Sequence, residues 1–283
     1  MPEPALYLVG TPIGNLDDLS PRALATLTEV DVVYAEDTRR TSRLFRRHAI
    51  RTPLRSLHAH NEAARGDEIV GLLRGGGNCA LVTDAGSPGV SDPGARVVRA
   101  VADAGLLVLS VPGPSAVTAA VGLSGFDADR FLFLGFPPRK GPERRAWLAA
   151  SVTQPTTVVA FEAPGRLAAL LRDWGEMEIG ERPCCVCREI TKLHEETRRG
   201  TVAALADYYS EVEPRGEITL VLAASPPPAA VEGARAREVA EEMARTGRTT
   251  KEIATRLRDE LGLSRNEAYE LALRATSPGG REP

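Results

Sequence analysis

Short apolar runs alternate with helix-patterned segments through the first 111 residues, an order that builds an α/β layer around a mainly parallel sheet. ALYLV (5–9), DVVYA (31–35), PLRSL (53–57), NCALVT (78–83) and LLVLSV (106–111) read as the strands. Ser20 is placed to cap a helix that opens with Pro21, and Leu24 and Leu27 continue its apolar spacing. Helical spacing returns at 38–47 and 61–74, and Asp92 followed by Pro93 reads as the start of another helix.

The stretch PGPSAVTAAVGLSG (112–125), rich in glycine, proline and small residues, reads as a boundary. Behind it a second α/β pattern has strands FLFLG (131–135), TTVVAF (156–161), RPCCVCREI (182–190) and EITLVLA (217–223), with helical segments between the first three. The proline-rich ASPPPAAVEG then breaks the pattern, and helix-like stretches follow at about 231–245, 249–260 and 264–275. The expected division is an N-terminal α/β domain over 1–114, a second over 115–224, and a linker with a helical tail over 225–283.

Composition narrows the function classes. A chain of 283 residues, 43% hydrophobic and 26% charged, suits one or two packed cores and excludes a largely disordered or fibrous protein. No run approaches the roughly 18 apolar residues of a membrane span, and the opening MPEPALYLVG has no signal-peptide pattern, so a cytoplasmic location is expected. Cys184, Cys185 and Cys187 crowd one strand without CxxC spacing, and Cys79 stands alone, so neither a metal site nor a disulfide framework is expected. A net charge of −3 excludes a generic nucleic-acid binder and leaves any polyanion to a local patch.

Proline and glycine gather at the carboxyl ends of the strands, in loops 10–18, 84–94 and 112–116, where open α/β sheets bind ligands. The first loop is neither GxGxxG nor a P-loop, which disfavours dinucleotides and nucleoside triphosphates. Pro12 removes a backbone donor that a pyrophosphate would use, so a ligand without phosphates fits better.

TPIGNLDD (11–18), AEDTR (35–39), LHAHNE (57–62), VTDAGSPGVSDPG (82–94), PGPSA (112–116), FEAPGRL (161–167) and REITKLHEE (188–196) occur in that order. Together they resemble the ribosomal RNA small subunit methyltransferase I family of the tetrapyrrole-methylase superfamily. The resemblance implies two α/β domains with S-adenosylmethionine in the cleft between them, a homodimer, and methylation of a cytidine ribose 2′-hydroxyl in the decoding region of 16S ribosomal RNA. It implies that Pro12, Asp84, Ala85, Gly86, Ser87, Pro88, Ser115 and Ala116 line the cofactor slot, with Glu162 and Ile190 contributed by the second domain. Gly165 stands where the family commonly has histidine, which argues against an essential base there.

Ribose methylation needs alignment of the hydroxyl with the methyl and removal of one proton. Glu36, Asp37, His58, His60, Lys192 and Glu195 are candidates for that step, and Asn15, Asn61 and Arg166 for orienting groups. Glu36 and Asp37 read equally as a helix cap or as partners of Arg39, and the histidines as hydrogen-bonded loop residues. Segment 36–55 carries seven arginines against two carboxylates, with Arg39, Arg43, Arg46 and Arg47 on one helical face beside Arg40. That patch suits a polyanion, without an aromatic platform for base stacking.

In the tail, Ile253, Ala254, Leu257 and Leu261 are expected to face Ala268, Leu271 and Leu273, with Ser264 and Glu267 capping the last helix. Its charges balance, so DNA is not an expected partner. Two other functions compete with the leading one: methylation of a tetrapyrrole or other small molecule, and nucleic-acid binding without catalysis.

Overall fold

The computed structural model describes residues 3–225 and 228–276, and the side chains among them except those of 228–232. Two compact units result, one ending at Ala224 and one beginning at Ser225.

The first unit holds two five-stranded sheets. In the first, β1 (Ala5–Val9), β2 (Val32–Ala35), β3 (Leu54–Ser56), β4 (Cys79–Val82) and β5 (Leu107–Val111) lie in the order β3-β2-β4-β1-β5, every pair parallel. Both faces are covered, which is why its central strands are apolar throughout. On one face Val9, Val33 and Val82 pack against α1 (Pro21–Glu29) and α2 (Thr38–Arg47). On the other, Leu6, Tyr34 and Leu81 pack against α3 (Glu62–Arg74) and α4 (Ala95–Asp103).

Ser20 Oγ accepts from the Ala23 amide at 3.1 Å, as its position before Pro21 suggests. The start of α4 differs from expectation. Asp92 and Pro93 lie outside the helix, which begins at Ala95 behind Gly94 at φ 139°. The cap comes from another helix: buried Glu62 Oε1 of α3 accepts from the amides of Gly94 and Arg96, both at 2.9 Å.

The segment expected to be a boundary contains α5 (Ala116–Ser124), ended by Gly125 at φ 72°. Its small residues let it lie close on the second sheet, where Val117 and Ala120 join Val159, Cys185, Cys187 and Val221. That sheet has the order β6-β7-β10-β8-β9, built from β6 (Phe131–Phe133), β7 (Thr157–Glu162), β8 (Pro183–Arg188), β9 (Glu196–Thr201) and β10 (Ile218–Leu222). Only β6 and β7 pair in parallel. Strict alternation divides its faces: Cys184 and Val186 join the core of α7 (Leu167–Trp174) and α8 (Val202–Glu211), and Cys185 and Cys187 join that of α5. Between β6 and β7 runs α6 (Gly141–Val152).

The second unit consists of α9 (Pro228–Arg245), α10 (Thr250–Leu261) and α11 (Arg265–Thr276). Ser264 and Glu267 cap each other's backbone amides, at 3.4 and 3.1 Å. Ile253, Ala254, Leu257, Ala268 and Ala272 form the core, with Leu261 and Leu271 against it. Leu273 departs from the expected facing set and is 49% exposed. Alanines at 268 and 272 already fill the inward stripe at a spacing of four.

Candidate active site

The carboxyl ends of β1, β4 and β5 are tied together by backbone. Thr11 and Gly86 exchange two amide hydrogen bonds, of 2.9 and 3.1 Å, and Gly10 donates to Val111 O at 2.9 Å. A Cβ on Gly10 would lie 2.7 Å from Gly113 N, and one on Gly113 would lie 2.7 Å from Gly10 O. Neither position admits a side chain without separating the two loops. Gly14 extends the same logic toward the second sheet: its Cβ would meet Thr191 Oγ1 at 2.7 Å and Ile190 O at 2.9 Å, while the Asn15 amide donates to Thr191 Oγ1.

Around these turns lies a cavity of about 380 Å³. The first sheet's loops supply Ile13, Glu36, Asp84, Ala85, Gly86, Ser87, Val90, Ser91 and Asp92, and α2 supplies Arg40. Ser115, Ala116 and Val117 come from the start of α5. Phe136, Phe161, Glu162, Ala163, Pro164, Ile190 and residues 216–219 come from the loops and strands of the second sheet.

Charge inside the cavity is uneven. Thr83 Oγ1 lies 2.6 Å from Asp92 Oδ2 and 3.2 Å from Glu36 Oε2, and its single hydrogen serves one of them at a time. Burial, then the neighbouring Asp92 and Asp84, push the Glu36 carboxyl above its ordinary value; Thr83 and Arg40 pull the other way. Asp92 is raised by burial and by Asp84 against the pull of Thr83. Asp84 itself accepts from the Asp37 amide at 3.0 Å and pairs with Arg40 at 3.2 Å. Across the cavity, the Glu162 side chain is fully buried, with Oε1 held by the Ala163 amide at 2.7 Å and by Arg166 at 2.5 Å. Its Oε2 has no hydrogen-bond partner among the described residues, and burial raises its carboxyl despite the neighbouring guanidinium.

Eight of the ten residues expected at the cofactor slot line this cavity: Asp84, Ala85, Gly86, Ser87, Ser115, Ala116, Glu162 and Ile190. Pro12 is buried and Pro88 half-buried; neither is among the lining residues, where Ile13 and Val90 stand instead. Of the candidate bases only Glu36 lines the cavity. Asp37 instead caps α2 and is held near 2 by bonds from the Arg39 side chain and backbone. His58 and His60 are exposed, with ring centroids 6.0 Å apart, and are not among the lining residues. Lys192 donates to Glu189 at 2.7 Å and Glu217 at 3.0 Å; burial lowers its pKa, but these carboxylates outweigh it and hold the ammonium charged. A charged ammonium has no lone pair to take a proton. Glu195 accepts from the Thr191 amide.

Asn15 caps the turn at Leu16–Asp18, and Asn61 bonds the His58 amide and Ser56 O. Among the described residues, Gly165 has no neighbour within 4 Å of where a Cβ would stand. The arginine patch divides. Arg39 pairs with Asp37, Arg40 with Asp84, Arg47 with Asp17 and Arg55 with Glu68, whereas Arg43 and Arg46 are exposed with no acidic partner among the described residues. Sequence reasoning passed over Thr83, Asp92 as a wall residue, Val90 and Phe136. The paired prolines behind β6 carry the same signal that marked the other loops, proline at a strand's carboxyl end.

Comparison with known proteins follows the same lines. A profile of the tetrapyrrole (corrin/porphyrin) methylases matches residues 5–206. The chain is 41% identical to the ribosomal RNA small subunit methyltransferase I of Synechocystis over 97% of its length and 99% of that protein. Against the enzyme of the same name from Thermotoga maritima, identity is 47% over 77% of this chain and 97% of the relative. Two solved structures share the fold. A cobalt precorrin-4 methyltransferase has a TM-score of 0.61 at 17% identity, covering 77% of this chain and 94% of that one. The uroporphyrin-III-C-methyltransferase of Thermus thermophilus has a TM-score of 0.55 at 21% identity, covering 77% and 93%.

Proposed function

The chain belongs to the tetrapyrrole (corrin/porphyrin) methylase family, and from that premise we propose that it is an S-adenosylmethionine-dependent methyltransferase of small-subunit ribosomal RNA. The acceptor is the ribose 2′-hydroxyl of a cytidine in the decoding region of 16S RNA. The observation that carries this reading is a cavity of about 380 Å³ with Arg40 of an arginine-rich helix in its wall, and Arg43 and Arg46 of the same helix exposed without an acidic partner among the described residues.

The residues present fit the cofactor. The cavity falls in the range of roughly 300–1,000 Å³ that suits a small-molecule ligand. Its loops offer close backbone at Asp84, Ala85, Gly86, Ser87, Ser115 and Ala116 with no phosphate cradle, and Ile13, Val117 and Ile190 give it an apolar side. The unpartnered buried Oε2 of Glu162 calls for a hydrogen-bond donor, and an amine or ribose hydroxyl supplies one. When bound, S-adenosylmethionine supplies an activated methyl on a sulfonium, so the protein's task is alignment and proton removal.

Glu36 is the residue to take the ribose proton. Its carboxyl, raised by burial and acidic neighbours, is a better acceptor than an ordinary glutamate, and the Thr83 hydroxyl it shares with Asp92 lies 3.2 Å away. Arg43 and Arg46 contact phosphates from α2, with Arg40 at the rim. Residues 1–114 and 115–224 act as the two jaws and 225–283 as an accessory extension.

We further take the working form as a cytoplasmic homodimer. The edge strand β5, Leu107–Val111, carries no charge or proline to block pairing, and leaves Leu107 and Leu109 exposed on one face.

Transfer of labelled methyl from S-adenosylmethionine to purified 30S subunits, naked 16S RNA and a porphyrinoid tests the function. Label at a cytidine 2′-oxygen of the subunit is the expected result. Label only in the porphyrinoid moves the chain to the small-molecule branch of its family, and RNA binding without transfer makes it a non-catalytic binder.

A further inference from the structure

The loop between β6 and α6 lines the cavity from the second sheet and presents a side chain that folding does not bury. Phe136 lines the cavity yet is 56% exposed, the most exposed phenylalanine among the large apolar residues left at the surface. Its ring leans on Phe161 with centroids 5.4 Å apart, and Phe161 meets Phe133 edge-on at 4.9 Å, so it stands on an aromatic stack. The segment is held firmly. Arg166 and Arg144 donate to the carbonyls of Pro137 and Pro138 at 3.3 and 3.1 Å, and Trp147 Nε1 donates to Leu134 O at 3.1 Å. Gly135, at φ 63°, makes the turn that exposes Phe136, and a Cβ there would lie 3.6 Å from Ser91 Oγ of the first sheet's loops. A ring fixed in this way loses little freedom when a ligand packs on it.

Its neighbours define the ligand. Arg139, Lys140 and Arg145 follow within nine residues, all exposed and with no acidic partner among the described residues. S-adenosylmethionine carries no phosphate and a net positive charge, so three free cations serve it poorly. A polyanion with planar, stackable groups matches both features. The ribose to be methylated must enter the cavity, and its base, pulled out of the RNA stack, needs a π-surface to replace the one it left.

We infer that Phe136 is the stacking platform for the nucleobase of the target nucleotide, with Arg139, Lys140 and Arg145 holding the adjoining phosphates. This rests on the reading of the chain as a ribosomal RNA methyltransferase. It adds a second RNA-contacting wall, contributed by the other half of the unit from α2, and an aromatic contact that the sequence reading excluded.

The test uses the full chain with Phe136→Ala, Phe136→Leu and Phe136→Trp. S-adenosylmethionine affinity is measured by calorimetry, and methyl transfer is followed against the concentration of 30S subunits. Loss of the ring should raise KM for the subunits about tenfold or more. Cofactor affinity should stay within about twofold. Leucine, apolar but without a π-face, should behave like alanine, and tryptophan like the wild type. Wild-type kinetics for the alanine or leucine variant would overturn the inference, as would a loss of cofactor affinity in step with activity, which would assign the ring to the cofactor. If the wild type itself fails to methylate the subunits while binding the cofactor, the functional reading falls first, and this inference with it.

Discussion

The two sheets of the first unit reach the cavity by different routes. In the all-parallel sheet every contributing loop follows a strand, so the wall is built where β1, β2, β4 and β5 end. In the mixed sheet β10 runs against β7 and β8, and the residues that precede it, Gly216 and Glu217, share the rim with those that follow β7 and β8. Reversing one strand brings a third segment to the same edge. The chemistry differs in partners rather than in the direction of the shift, since burial raises all three carboxyls. The parallel side sets Glu36 and Asp92 beside each other and Asp84, an acidic cluster suited to accepting a proton, whereas the mixed side holds the single buried carboxylate of Glu162 pinned by an arginine, suited to gripping a donor.

That contrast breaks most directly at Glu36. Glu36→Gln should lower the rate of methyl transfer by about 10²- to 10⁴-fold with cofactor affinity unchanged, while Asp37→Asn, whose carboxylate is committed to Arg39, should cost far less. Single-turnover assays with calorimetry check the pair, and equal losses would erase the assignment. On the mixed side, Glu162→Gln should instead weaken S-adenosylmethionine binding by roughly 10- to 100-fold, the worth of a hydrogen bond to a charged group. A rate effect without an affinity effect would merge the two roles.

Below these comes the arginine face. Arg43→Ala with Arg46→Ala should reduce the slope of log affinity against log salt for 30S binding by about 2, or less on single-stranded RNA, with cofactor binding intact. An unchanged slope would remove α2 from the RNA contact. The smallest effect is thermal. Glu36 has a folded pKa above its ordinary 4.5, so its contribution to stability is fully present below the unfolded value and is lost as pH rises through the folded one. The Glu36→Gln protein without cofactor should therefore melt slightly higher than wild type at pH 8, with the gap closing toward pH 4. A lower melting temperature at pH 8 would contradict the burial argument.

The parallel sheet was readable because its strands are buried on both faces and carry unbroken apolar runs. The mixed sheet hid one of its strands. ETRRGT, the whole of β9, has no large apolar residue, because it is an edge strand paired only with β8, and its pairing comes from the backbone. Helix α5 reads in sequence as a boundary because its alanines and glycine look like turn material, and only the sheet beneath explains why they are small. The cap of α4 was out of reach altogether: Glu62 lies 32 residues before the Gly94 amide it accepts from. At the site, the backbone loops were legible as proline and glycine at strand ends. Which carboxylate faces the cavity was not, since Glu36 and Asp37 are neighbours in sequence and part only in three dimensions.

The crossing of Gly10 over Gly113 has an evolutionary corollary. Two stretches of bare main chain touch there, so that junction offers selection no side chain to vary, and diversification must proceed among the residues that line the cavity, around Phe136, Val90 and Arg40. A laboratory library aimed at new acceptors would do best to leave the glycine junction untouched and randomise that lining.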